Sequence, residues 1–186
     1  MGDMKRRMLA GELYRANDPE LQAELARCAS LLQRYNTVTW PDQPDERRQL
    51  LTELLGRLGE ETVIRPPVYF DYGSQTTIGA RTFINFGAVI LDVGKVSIGD
   101  DVQIGPNVQI LTATHPLDAE TRRAGWESQK PISIADGVWL GGGVIVCPGV
   151  SIGENTVAGA GAVVTRDIPP KVFAAGNPCR VIRALA

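Results

Sequence analysis

The 186-residue chain reads as a mainly β protein: a parallel β-helix of hexapeptide repeats, preceded by an α-helical segment and broken by one long excursion. Three observations predict this. Branched apolar residues recur every six positions from Ile78 to Val164. Capped amphipathic stripes are confined to residues 1–60, which divides the chain into an N-terminal helical segment and a β-helix domain over 61–186. A single stretch, 111–133, departs from the repeat.

In DPELQAELARCASLLQRY, Asp18 is placed to cap a helix, with Pro19 at its first position and Glu20 in its first turn. Leu21, Leu25, Cys28, Ala29 and Leu32 then form one apolar stripe. A second helix is predicted from near Asp45 through Leu50, Leu51, Leu54, Leu55 and Leu58, stopping at Gly59. Helices of this length are marginal alone, so they must pack on the repeat.

The anchors of the repeat are Ile78, Ile84 and Ile90, then Ile98, Ile104 and Ile110 after a two-residue insertion. A third run comprises Ile134, Leu140, Val146, Ile152, Ala158 and Val164. Two residues before each anchor stands another small or branched side chain, from Thr76 to Ala162, and six of the twelve anchors are followed by glycine. Two inward residues and a turn describe a very short strand and a corner. Stacked, such units build a parallel β-helix. A sandwich of short strands would not hold twelve anchors in one register.

Composition excludes several functions. The 19 Lys and Arg nearly balance the 21 Asp and Glu, so no basic surface points to nucleic acid. No apolar run of transmembrane length is present, and MGDMKRRMLAGELYR lacks the apolar stretch of a signal peptide. Cys28, Cys147 and Cys179 are odd in number and lack CxxC spacing, which suits a reducing cytoplasm. A zinc hydratase on this architecture would need several histidines, and there is one.

The hexapeptides, the opening GELYRANDPEL, the segment TATHPLDAETR and the ending GNPCRVIR resemble the maltose and galactoside O-acetyltransferases, the maltose type most closely. The resemblance spans essentially the whole chain. It implies a left-handed β-helix, a homotrimer and acetyl-CoA as co-substrate, with no metal. Handedness rests on the resemblance alone, because ordinary parallel crossovers are right-handed.

Three hexapeptides make one coil, so Ile84, Ile104, Leu140 and Ala158 are expected on one face. Asn85, Gly105, Gly141 and Gly159 then line an edge that an extended ligand can approach closely. Phe83 and Trp139 point outward beside it. The resemblance matches Asn85, Gly142, Ala160, Thr165, Arg166, Arg180 and Arg183 to acetyl-CoA positions. Trp139 joins them from its place on the edge, and the basic residues suit the phosphates of CoA. Lys171 is a further basic residue of that region.

His115 is the only histidine, and it lies in the excursion, where long irregular insertions concentrate function. It matches the family's catalytic histidine, a base able to take the proton of an attacking hydroxyl. The resemblance also gives Asn85 a role in holding the reacting groups and makes the Gly142 N–H an oxyanion donor. For the acceptor, Asp71, Asn85 and Asp92 match or nearly match sugar-binding positions, and Glu127 is a possible extra contact. The galactoside enzymes carry aspartate where this chain has Ala16, which speaks against a galactoside, and the maltose-type opening implies a glucose or maltose acceptor, with a galactoside or chitooligosaccharide as the alternative. The His115 excursion leaves from a different face than Asn85 and Gly141. Together with outward apolar residues such as Ile145, Val157 and Val163, this predicts a site built between subunits. The competing reading is a β-helix scaffold without catalysis.

Overall fold

In the computed structural model, which describes residues 1–37 and 42–185, every six-residue anchor is buried and so is its partner two positions earlier. The chain winds as a left-handed parallel β-helix of about six turns. On the first face Leu58, Ile78, Ile98, Ile134 and Ile152 stack in register. On the second, Ile64, Ile84, Ile104, Leu140, Ala158 and Ala174 stack. On the third, Phe70, Ile90, Ile110, Val146 and Val164 do so. The predicted stacking of Ile84, Ile104, Leu140 and Ala158 is borne out.

The repeat is longer than its most regular part suggests. Leu58, Ile64 and Phe70 form a coil before Ile78, and Ile168 and Ala174 form strand contacts after Val164. Leu58 thus belongs to the β-helix, not to the second predicted helix, which ends at Leu54. At Leu55 the backbone is already extended (φ −90°, ψ 151°).

The glycines that follow the anchors owe their identity to stacking between coils. A Cβ on Gly79 would lie 2.5 Å from the Gly99 carbonyl carbon, and one on Gly141 2.6 Å from the Ala160 nitrogen. Neighbouring strands sit only about 4.8 Å apart, so the corner has no room for a side chain. Buried threonines are satisfied by the same corners: the Thr82 hydroxyl donates to the Gly99 carbonyl at 2.9 Å, and Thr156 to that of Pro169 at 2.8 Å.

Three helices precede the coils: α1 (Asp3–Ala10), α2 (Pro19–Thr37) and α3 (Pro44–Leu54). Asp18 caps α2 as expected, accepting from the Glu20 N–H at 3.0 Å. The open end of a β-helix exposes unpaired backbone, and α2 and α3 close it. Asn36 exchanges two hydrogen bonds with the Val68 backbone, at 2.9 and 3.0 Å, while Tyr35 and Arg47 both donate to the Ile64 carbonyl. Burial pushes the Tyr35 hydroxyl up to about 12, against the lowering effect of Arg47.

The excursion is not an irregular loop. Ala113–Thr114 and Trp126–Gln129 pair as an antiparallel hairpin, with a short helix α4 (Ala119–Arg123) near its tip. The N-terminal strand Tyr14–Arg15 adds to the hairpin's other edge. No helix among the described residues is long and apolar enough to cross a membrane.

Candidate active site

The three faces differ in chemistry. The first presents Arg57, Thr77, Ser97, Ser133 and Ser151 outward, a polar surface. The second presents Val63, Phe83, Gln103, Trp139, Val157 and Phe173; the third presents Tyr69, Val89, Gln109, Ile145 and Val163. Where the second and third faces meet lies a cleft of about 430 Å³. Asn85, Gly105, Gly141 and Gly159 line it as the spacing predicted, with Phe83, Trp139, Gly142 and Ala160. Its wall is largely apolar carbon with a row of backbone amides, a surface suited to a flexible amide-bearing arm.

Accounting for those amides singles out two. The N–H groups of Asn85, Gly105, Gly141 and Gly159 are consumed by the next coil's carbonyls at 2.8–2.9 Å. Among the described residues no acceptor lies on the N–H of Gly142 or Ala160. Both belong to cleft-lining residues. Neither residue is buried, so both N–H groups are open to solvent or to a molecule lying in the cleft.

Asn85 is braced from below. Its Oδ1 accepts from the Phe86 N–H at 2.9 Å and from Arg65 Nη1 at 3.2 Å, while the Arg65 guanidinium stacks over the Phe86 ring. Sequence reasoning missed Arg65. The signal was available: Ile64 continues the six-residue period, which puts Arg65 one coil beneath Asn85.

The basic residues gather toward the C-terminal end. Arg166 and Arg180 line one small hollow of about 150 Å³ with Cys179. The strand Arg180–Ala184 folds back antiparallel on Val172–Ala175, bringing Arg183 over the ring of Phe173, a cleft residue, at 5.9 Å. Thr165 adjoins Arg166, and Lys171 lies within 3.9 Å of Glu154.

The remaining candidates lie elsewhere. His115 directly follows Ala113–Thr114 of the hairpin and is exposed; it does not line the cleft of its own chain. Asp71 and Glu127 come together beneath the hairpin. Burial, then the Glu127 charge, pushes the Asp71 carboxyl up to about 6. Asp92 is fully buried, and its carboxylate accepts from the Tyr72 and Gly73 N–H groups and the Thr76 hydroxyl at 2.9, 3.1 and 2.9 Å. Burial raises it to about 6 despite those bonds. Asp92 therefore braces the turn that carries Asp71.

The chain's relatives agree with this anatomy. The maltose acetyltransferase hexapeptide capping motif matches residues 7–59. Nodulation protein L of Rhizobium meliloti is 51% identical over 177 residues, 95% of this chain and 96% of that protein. The crystal structure of a maltose O-acetyltransferase from Clostridium difficile superposes with a TM-score of 0.96 at 45% identity, covering 98% of this chain and 97% of that one. A galactoside acetyltransferase in complex with coenzyme A superposes at 0.95 with 41% identity, covering 100% and 92%. A repeat that stacks in register, a glycine-lined cleft with two unclaimed amides and these full-length likenesses lead to one conclusion: the chain belongs to the hexapeptide-repeat O-acetyltransferases of the maltose and galactoside type, enzymes that draw their acetyl group from acetyl-CoA.

Proposed function

We propose that the chain acetylates a hydroxyl of a glucose- or maltose-type sugar, by direct attack within a ternary complex. The pantetheine arm lies along the cleft beside Trp139, Gly142 and Ala160, with the CoA phosphates held by Thr165, Arg166, Arg180 and Arg183. The His115 imidazole takes the proton of the acceptor hydroxyl as its oxygen attacks the thioester carbon. The Gly142 N–H and the Asn85 amide stabilise the oxyanion, a contribution of about 3 kcal/mol per donor in comparable acyl transfers. The C–S bond then breaks, and the thiolate of CoA recovers the proton from the imidazolium. Asp71 and Glu127, with Asn85, hold the sugar, and Asp92 supports them.

The observation that carries this reading is the Gly142 N–H, which with that of Ala160 faces no acceptor in a cleft whose edge amides at Asn85, Gly105, Gly141 and Gly159 are consumed. Because His115 stands outside that cleft, a neighbouring subunit of a homotrimer completes each site. The apolar second and third faces supply the contact surfaces.

The test is an acetyl-CoA turnover screen over glucose, maltose, galactosides, chitooligosaccharides and amines, alongside His115→Ala. Sugar-dependent release of CoA, lost in His115→Ala while CoA affinity is kept, is the expected result. CoA release with no sugar dependence, or near-normal turnover in the variant, rejects the mechanism. Absence of CoA binding favours a scaffold.

A further inference from the structure

The cleft has a floor. Two columns of residues run along its edge, set by the backbone hydrogen bonds between coils. Arg65, Asn85, Gly105, Gly141 and Gly159 form one, and Phe86, Pro106, Gly142 and Ala160 the other. In the coils toward the C-terminus these columns carry only glycine, alanine and proline, so an extended chain can lie against the backbone. At the coil of Asn85 and Phe86 the side chains become large, and the cleft lined by Ala160, Gly142, Pro106 and Asn85 stops there.

Phe86 fills no core. Its ring is 41% exposed, and the Arg65 guanidinium lies over it at 5.1 Å while donating to Asn85 Oδ1 at 3.2 Å. A planar cation stacked on the ring and tied to the neighbouring amide holds that ring in place. The result is a stiff wall across the end of a smooth groove.

Charge sets the direction of the donor. Arg166, Arg180 and Arg183 gather at the C-terminal end, so the pantetheine arm descends from there and its acyl end points toward the N-terminal coils. With its carbonyl between the Gly142 N–H and the Asn85 amide, the reacting carbon stands at the level of Gly105 and Pro106. One strand spacing, about 4.8 Å, separates that level from Phe86. A single C–C bond takes up about 1.5 Å of it, and the remainder is no more than one carbon–carbon contact distance of about 3.5 Å.

Resting on the acetyltransferase reading above, we propose that the Phe86 ring, stiffened by Arg65, sets the length of the acyl group: it admits acetyl and excludes longer acyl donors. A third acyl carbon would have to enter the ring or turn out toward the acceptor, where it displaces the attacking hydroxyl. Phe86 thus touches the part of the donor that distinguishes acetyl-CoA from its homologues.

The test measures kcat/KM for acetyl-, propionyl-, butyryl- and hexanoyl-CoA, with glucose or maltose as acceptor, whichever turns over faster. Wild type is expected to fall about tenfold at propionyl-CoA and at least a hundredfold at butyryl-CoA. Phe86→Ala keeps the backbone N–H that bonds Asn85, and its ratio of acetyl to butyryl turnover should shrink at least tenfold. In Phe86→Trp the ratio of acetyl to propionyl turnover should widen. Free CoA, which has no acyl group, should bind both variants as tightly as wild type. Butyryl-CoA used as well as acetyl-CoA by the wild type, or ratios unchanged in both variants, overturns the inference and leaves the acetyltransferase reading intact. Loss of CoA affinity along with the discrimination also overturns it, because Phe86 would then serve the cofactor as a whole. No turnover of acetyl-CoA with either sugar overturns both.

Discussion

Arg65 reaches up one coil and donates from Nη1 to Oδ1 of Asn85 across 3.2 Å. With the Phe86 N–H on the same oxygen at 2.9 Å, the amide's acceptor side is occupied and its NH₂ is left for the cleft. Removing the guanidinium should free the Asn85 side chain to rotate. Arg65→Ala is expected to lower kcat about tenfold, equivalent to about 1.4 kcal/mol, with the KM for acetyl-CoA nearly unchanged. Arg65→Lys should restore part of it. A KM effect without a kcat effect would show Arg65 to act on binding instead.

Two glycines of the cleft should respond oppositely to alanine. A Cβ on Gly105 would stand 2.6 Å from the Gly142 nitrogen, whereas one on Gly142 meets nothing closer than 3.4 Å. Gly105→Ala is therefore expected to displace the Gly142 N–H and destabilise the fold by about 1–3 kcal/mol. Turnover should fall at least tenfold. Gly142→Ala keeps its N–H and should melt within a degree or two of wild type. Thermal melts and steady-state kinetics of the pair check both statements.

The raised carboxyl of Asp71 predicts a pH-dependent stability difference. Its proton is held up to about 6 in the folded chain, above the ordinary aspartate value of 3.8. The folded state thus binds more protons than the unfolded one between those values, and stability from this group is lost as pH rises through about 6. Asp71→Asn cannot ionise. Its melting temperature relative to wild type should therefore climb between pH 4 and 7, by about 2–4 °C for each kcal/mol relieved. A difference that stays flat over this interval would contradict the assignment.

If His115 and Asn85 serve one cleft from two chains, inactive variants should rescue each other. Mixing His115→Ala with Asn85→Ala subunits and letting them exchange is expected to return activity, because some mixed trimers contain a cleft with both residues intact. Mass spectrometry of the exchanged assemblies verifies the mixing. Verified mixed trimers without activity would place both residues in one chain.

The β-helix was legible because its cause is local and repeated. Spacing alone assigns Ile84, Ile104, Leu140 and Ala158 to one face, and Gly141 to the edge beside them. The first coil was harder. Leu50 to Leu58 satisfies a helical stripe and Leu58 also satisfies the six-residue period, so the two patterns compete. Packing resolves them, since Gly56 must approach the Ser74 carbonyl to within 2.6 Å of where a Cβ would sit. The excursion misled in another way, because a hairpin completed by Tyr14–Arg15 takes its third strand from a segment about a hundred residues away.

By itself, then, the sequence determined the repeat, its three faces, the glycine-lined edge and the family to which His115 and TATHP belong. These follow from a short pattern whose meaning is the same at every recurrence. Only the tertiary structure decided that the Gly142 and Ala160 amides lack acceptors, that Arg65 holds Asn85, and that Asp92 is buried under the turn it braces. It alone brought Tyr14, Asp71 and Glu127 together from three remote segments. Such facts depend on which groups remain unpaired once the coils have stacked, and a pairing is a property of two distant positions that no local pattern records.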